Sequence, residues 1–486
     1  MNSVAVLSSA SAGGAGIAAY RCYQALSKRS DITVDFVDIA LLGVVDPAIS
    51  PTITASNHKI TNTHFTIDHA NASRQWVVDF LSSYDVINIQ WASYLLSLSE
   101  ILMLAKQKKK ILFTLHDFNY MTGGCHYPAG CLGYQEACIS CPQVDESLLS
   151  QQGVIENHQL KREIFSLANV HLAAPSAFIV NSAVNAGVVP VERAHVLRNA
   201  YEPIGQQLKG EPVDPYSILL IADSFDERRK GLSLAVASIR EAAEQLEAEN
   251  IKLKLHVVGG LDEQVLNLLH DSYVEVIMHG HIQEHAELVE TFEQCRFILS
   301  CSYEDNWPNI LVEAACYGCV PIVGRWHGCE EFVDTFSVGY LADQYQPSSF
   351  AVAIKDAIFD TSVDMNSYAS TVRKTHSVNA VSKAYKRAFE SIGAIDLGAG
   401  SQKETAAENT LSINHLAAKY NSLSLSNGKK YLVSSHPSPF RQQDQFESFE
   451  LNDNTDMLIR LVDVYKKSSP SSDLNYGIKQ CRIEEI

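Results

Sequence analysis

Two adjacent acids, Glu304 and Asp305, stand in the segment SYEDNWPNILVEAACYGCVP, residues Ser302–Pro321, and a third, Glu313, follows further on. Carboxylates accept hydrogen bonds from hydroxyls and can steady positive charge as it develops. The apolar run Phe297–Cys301 just ahead of them predicts a buried strand. Pro308 stands where a helix begins, a place where its missing N–H costs nothing. That helix is expected over Asn309–Tyr317, stopping at Gly318, with a new strand at Val320–Gly324. The acids then lie beside a helix N-terminus at the carboxyl edge of a parallel strand, where open α/β sheets bind ligands. Free N–H groups and the helix dipole favour a phosphate there, which makes Asn309, Ile310 and Leu311 the candidate seat. Glu313 lies one turn inside, on the face of Asn309 and Ile310, and can reach a hydroxylated group attached to that phosphate. A phosphate seat, a diol acceptor and paired acids together imply a sugar nucleotide.

The same motif resembles the acidic signature of retaining family-4 glycosyltransferases of the GT-B fold. That signature is an acid, seven residues, a second acid, then a small-residue helix, Gly and a Val-Pro strand. Asp305 and Glu313 keep the spacing. The family's first acid is usually Glu, and here Glu304 stands one residue early, so Glu304 and Asp305 are both candidates for contact with the sugar. The E-D-N-x-P-N form resembles a branch of the family found in exopolysaccharide synthesis. The resemblance reaches to the region of Ser391. It implies two facing α/β domains and transfer of a hexosyl group, with retention, from a nucleotide-sugar donor. The expected acceptor is a saccharide or lipid-linked saccharide.

Composition agrees. The chain has 486 residues, 46% of them hydrophobic, enough to bury two sizeable cores and leave a remainder. A formal net charge of -18 argues against nucleic acid as a partner, which would need a basic face, and against broad docking on anionic lipid. No apolar run is long enough to span a bilayer. The start, MNSVAVLSSASAGG, has no cationic lead and reads as a first strand rather than a signal peptide. A cytoplasmic protein is expected, with at most peripheral contact at the inner membrane face. The one basic run, Ala105–Lys110, reads as a solvated helix end. In that compartment the 11 cysteines are thiols or metal ligands rather than disulfides.

Elements that could position these residues follow from periodicity. Strands at Val4–Leu7, Val34–Val37, Val86–Ile89 and Ile111–Leu115, with a helix at Ile17–Leu26, predict a doubly wound parallel sheet within residues 1–200. Asn199–Tyr216 contains Gly and Pro and reads as a linker. A second doubly wound, Rossmann-like region is expected over 216–391, from the Ile218–Ile221 strand to a helix containing Tyr385. Residues 393–486 read as a linker and an extension without a chemical motif, carrying a strand at Lys430–Ser434 and a helix at Asp456–Lys467.

Four further groups are candidates. The first strand runs into a glycine-rich turn, where Gly13 and Gly14 let backbone approach a ligand at a helix start. Gly14, Gly16 and Ala19 also match G-x-G-x-x-A. That match supports the alternative of a nicotinamide-dependent oxidoreductase, which leaves the 302–321 motif unexplained. His116 ends a strand in T-L-H-D and resembles the family's cleft histidine, which contacts the transferred sugar. Arg229 and Lys230 follow the first strand of the second region, where cations can neutralise a diphosphate. The family carries an Arg and a Lys several residues apart here, and Ser224 and Phe225 occupy the region of its usual Arg. Cys125, Cys131, Cys138 and Cys141 form C-x5-C-x6-C-x2-C in an insertion over 121–145. Four thiolates can close a structural zinc site; free or redox thiols and, last, disulfides are the other readings. Catalysis needs no cofactor, because a helix dipole and a cation can stabilise the leaving group. A GT-B-type nucleotide-sugar epimerase would share the fold and donor site but use no acceptor. A non-catalytic zinc-dependent scaffold would rest on the cysteines and the C-terminal tail.

Overall fold

The computed structural model describes residues 2–42, 52–54, 65–68, 74–144, 150–205, 213–221, 228–259, 269 and 273–393, with three short strands beyond. The first α/β region contains β1 (Asn2–Ser8), β2 (Ile32–Val37), β3 (Thr52–Thr54), β4 (Thr66–Asp68), β5 (Val86–Trp91), β6 (Lys110–Thr114), β7 (Val170–Ala174) and β8 (Ala194–Val196). Six of these form a parallel sheet in the order β2-β1-β5-β6-β7-β8, and β3 and β4 make a separate antiparallel pair. Helices cover both faces of such a sheet, so its strands are apolar throughout rather than alternating. Val4, Ala5, Val6 and Leu7 of β1 show why, being buried to the last atom.

The second region repeats the design with β9 (Ser217–Ile221), β10 (Leu253–Val258), β11 (Val274–Gly280), β12 (Phe297–Ser300), β13 (Val320–Gly324) and β14 (Tyr340–Ala342). Its parallel order is β11-β10-β9-β12-β13-β14. The expected architecture of two doubly wound α/β domains is therefore present. Leu423–Ser424, Lys430–Val433 and Ile483–Glu485 form a small antiparallel sheet. The helix expected at Asp456–Lys467 lies outside the described residues.

The helix Val378–Ser391, although it follows the second sheet in sequence, packs on the first. Val381, Tyr385, Ala388 and Phe389 share a core with Val4, Val6, Cys22 and Leu112. The chain thus passes between the two sheets twice, near Asn199–Tyr201 and near His376. The two passages are bonded to each other. His376 Nδ1 donates to the Asn199 carbonyl at 2.7 Å, and the Tyr201 N–H donates to the His376 carbonyl at 2.9 Å.

Each sheet also carries a stacked imidazole pair on neighbouring strands. His171 Nδ1 lies 3.2 Å from His195 Nε2, and His256 Nδ1 lies 3.0 Å from His279 Nε2. A neutral pair shares one N–H between two nitrogens; a further proton sets two N–H groups against each other. Burial pushes His171 and His256 down to about 4, and the partner imidazole adds to it. Burial does the same to His116 and His376. Above 6.5, the ordinary histidine value, folded and unfolded chains are both neutral at these positions. Between 6.5 and about 4 the unfolded chain takes up protons that the fold refuses, so stability is lost as pH falls. Each such proton contributes a slope of up to about 1.4 kcal/mol per pH unit. The urea midpoint is expected to drop steeply from pH 7 to pH 5, and His256→Asn to flatten the drop. A midpoint unchanged over that interval would contradict it.

Candidate active site

The first sheet reverses its winding between β1 and β5, the second between β9 and β12. The carboxyl ends at such a reversal leave a crevice where ligands bind. The turn after β1 leads into the helix Gly13–Ser27, with Gly13 in the left-handed region at φ 72°. The turn after β12 carries Glu304 and Asp305. Arg229 and Lys230 reach it because Gly231 follows them. A Cβ on Gly231 would sit 2.1 Å from the Cys301 carbonyl oxygen, so only glycine lets this turn lie against the end of β12.

The charges then pair closely. Lys230 Nζ lies 3.0 Å from Asp305 Oδ2, and Arg229 Nη1 lies 3.4 Å from the same oxygen. Arg229 Nη1 also donates to the Glu304 carbonyl at 2.5 Å, and its guanidinium stacks 4.0 Å over the Tyr127 ring. Burial pushes the Asp305 carboxyl up, but the Lys230 and Arg229 charges outweigh it and hold it below the ordinary range. Glu304 goes the other way. Its carboxylate crosses to the Cys-rich insertion, where the Ala129 and Gly130 N–H groups donate at 3.1 and 3.3 Å. Burial raises it, against the pull of those amides and of Arg229.

The helix Asn309–Ala315 starts directly after Pro308. Leu311 is buried in the second core, Ile310 packs against that core, and the Leu311 N–H donates to the Pro308 carbonyl at 3.1 Å. Asn309 Nδ2 donates to the Gly14 carbonyl at 3.0 Å and Asn199 Nδ2 donates to Asn309 Oδ1 at 2.8 Å, so the glycine turn and this helix start meet. Glu313 Oε1 lies 2.6 Å from Nη1 of Arg21, which also lies over the Tyr201 ring at 4.9 Å. His116, half-buried at the end of β6, bonds through Nε2 to Gln90 Oε1 at 2.7 Å, and its carbonyl accepts from Asn306 Nδ2. The structure thus gathers the acids, Arg229 and Lys230 at one reversal point, and brings Gly14, Arg21, His116 and the insertion against them from the other domain.

This geometry can hold an anion between fixed cations and bind hydroxyls on carboxylates. Residues 209–374 match the model of the family Glycosyl transferases group 1. The matched stretch holds Arg229, Lys230, the acidic motif and Glu313. Over 252 residues the chain is 24% identical to the putative colanic acid biosynthesis glycosyl transferase WcaC of Escherichia coli (strain K12). That match covers 48% of this chain and 57% of the relative, so the chain spans little more than half the length of the curated relative. Two solved structures share the fold. A sucrose-phosphate synthase from Thermosynechococcus elongatus superposes with a TM-score of 0.51 at 17% identity, covering 81% of this chain and all (100%) of that one. The lipopolysaccharide outer core galactosyltransferase WaaB, in its apo form, gives 0.52 at 14% identity, covering 80% and 99%. The fold is of GT-B type. No helix among the described residues is long and apolar enough to cross a membrane.

The zinc expectation finds no support among the described residues. Cys125, Cys131, Cys138 and Cys141 line one small cavity with Tyr134 and Pro142. Yet among the described residues no three Cys, His, Asp or Glu side chains converge where they could hold a metal ion. Two of these sulfurs accept from the insertion's own backbone: Cys138 Sγ from the Gly123 N–H at 3.2 Å, and Cys131 Sγ from the Gly133 N–H at 3.4 Å. Burial pushes the Cys138 thiol up to about 11 and also raises Cys125 and Cys141. The insertion's visible part in the site is instead Tyr127 beneath Arg229 and the two amides on Glu304.

Sequence reasoning missed Arg21, Gln90, Tyr127 and Asn306. Arg21 lies two turns inside a helix and carries no motif. Gln90 is the next-to-last residue of β5 and has a buried side chain. A glutamine near the carboxyl end of a buried strand that is apolar apart from Asn88 was the one signal available for it.

Proposed function

We propose that the protein transfers a hexosyl group from a nucleotide-sugar donor to a saccharide or lipid-linked saccharide acceptor, with retention, in polysaccharide or glycoconjugate synthesis. The observation that carries this reading is the Arg229–Lys230–Asp305 cluster set at a sheet reversal inside the stretch that matches the group 1 glycosyl transferases. The donor lies mainly on the second domain. Its diphosphate meets Lys230 and the Asn309–Ile310 helix start, and Glu313 takes the ribose hydroxyls once Arg21 gives it up. Asp305 holds the two cations in place. Glu304, whose carboxylate reaches across to the first domain, is the acid at the sugar, with His116 and the Gly13–Gly14 turn closing from the other side.

In the reaction the bond from the anomeric carbon to the phosphate oxygen breaks, and the diphosphate leaves with the electron pair. The acceptor hydroxyl oxygen bonds to that carbon. Its proton passes to the departing phosphate. Positioning and stabilisation of the leaving group supply the catalysis.

A thermal-shift screen of UDP-, GDP- and ADP-sugars tests the donor site, since ligand at 100 times its Kd adds about 2.7 kcal/mol. Failure of every nucleotide sugar to raise the melting temperature would remove the reading. His116→Ala tests the closure. A buried hydrogen bond made mainly in the transition state is worth about 1–3 kcal/mol. The variant is expected to bind free nucleoside diphosphate as wild type does, yet to transfer sugar about ten- to a hundred-fold more slowly. Normal transfer would place His116 outside the site.

A further inference from the structure

A chain of hydrogen bonds behind His116 fixes which of its ring nitrogens carries the proton. It begins at the Leu112 carbonyl, a backbone group that can only accept. Asn88 donates to that carbonyl through Nδ2 at 2.9 Å, and to Thr114 Oγ1 at 2.9 Å. The Asn88 amide is therefore oriented, and its Oδ1 is the atom turned to Gln90. Gln90 Nε2 donates to that oxygen at 2.7 Å and lies 3.3 Å from the Tyr385 hydroxyl. The Gln90 amide is oriented in turn, and its Oε1 faces His116 Nε2 at 2.7 Å. An amide oxygen only accepts, so His116 Nε2 must carry hydrogen. Asn88, Gln90 and Thr114 are all buried, so water does not offer the ring another partner on this side. Burial also keeps the ring neutral near pH 7.

We infer that Gln90 is a positioning residue that locks His116 in the Nε2–H tautomer, so that His116 offers Nδ1 to the donor sugar purely as a hydrogen-bond acceptor. This rests on the transferase reading only for the identity of the partner; the tautomer itself does not depend on it. A neutral acceptor nitrogen recognises a hydroxyl, which can donate, and turns away a carboxylate, which cannot. The inference therefore narrows the donor class. The group placed at His116 is a hydroxyl of a neutral sugar, and a uronic acid bearing its carboxylate there is rejected.

Two measurements on the full-length protein test this. Long-range proton–nitrogen NMR of labelled imidazoles, assigned with His116→Gln, should show His116 at neutral pH with Nε2 protonated and Nδ1 bare. A protonated Nδ1 in the wild type would overturn the inference whatever the enzyme does. Transfer assays then compare Gln90→Leu and Gln90→Glu. Gln90→Leu removes the acceptor, so mixed tautomers and a roughly ten-fold lower kcat are expected, with diphosphate binding unchanged. Gln90→Glu keeps an acceptor oxygen and adds a charge. It should keep the Nε2–H tautomer, keep more activity than Gln90→Leu, and move the acid limb of the pH profile upward by stabilising the imidazolium. A Gln90→Glu protein no more active than Gln90→Leu, with an unmoved profile, would reduce Gln90 to a packing residue. A correct wild-type tautomer in a protein that transfers no sugar would instead remove the transferase reading and leave the lock standing.

Discussion

Replacing Glu313 by Ala is expected to lower kcat/KM by about two orders of magnitude. Hydrogen bonds to a charged group contribute about 1.5–3 kcal/mol each, and a carboxylate can hold both hydroxyls of a ribose diol at once. Losing the pair costs about 3 kcal/mol of binding, or about a hundred-fold. The fold should tolerate the change. Alanine favours a helix more than glutamate does, and Arg21, left without its partner at 2.6 Å, keeps 21% of its side-chain surface exposed to water. Glu313→Gln should fall between, since its amide still offers an oxygen. Unaltered transfer kinetics in a folded Glu313→Ala protein would take Glu313 out of the donor site. Wild-type nucleotide binding by that protein would do the same.

Asp305→Ala is expected to act first on the fold. It removes the carboxylate between Lys230 and an Arg229 whose side chain is only 6% exposed. Breaking a buried pair by deleting one partner strands the other charge, at a cost of about 3–5 kcal/mol. The unfolding free energy should fall by that amount through a lower denaturant midpoint with the slope unchanged, because the same surface is exposed on unfolding. Asp305→Asn should lose less, as its amide oxygen still accepts from one cation. An unfolding free energy within about 1 kcal/mol of wild type for Asp305→Ala would show that the cations are held by Tyr127 and the Glu304 carbonyl instead.

The fold was legible in the sequence wherever an element is buried on every side. Val4–Leu7, Ile218–Ile221 and Val320–Gly324 are apolar runs that only a covered parallel strand explains, and they are β-strands in the structure. Periodicity says that a helix has an apolar face, not which sheet that face meets. The Tyr385 helix therefore read as the end of the second domain, whereas its buried residues complete the first core. Site residues with a local signature, the adjacent acids and Arg229–Lys230, could be named from spacing. Their partners could not. Arg21 meets Glu313, and Ala129 meets Glu304, across 292 and 175 positions of sequence, and no single-chain pattern encodes such a meeting. The four cysteines show the opposite limit. Their spacing suggested a shared ligand, but among the described residues no metal-holding group of side chains forms, and the Cys131 and Cys138 sulfurs accept from the insertion's own amides.

The bonded double passage near Asn199 and His376 governs how the domains can move. A single tether permits bending, twisting and sliding alike. Two tethers side by side define an axle: rotation about the line through them stays cheap, while twist or translation must stretch one of them. The His376–Asn199 and Tyr201–His376 bonds keep the tethers from separating, so each opening should retrace the same arc. The Arg21–Glu313 and Glu304–Ala129 pairs each bridge the crevice from one domain to the other and would part and re-form in register, as the teeth of a hinged clasp do.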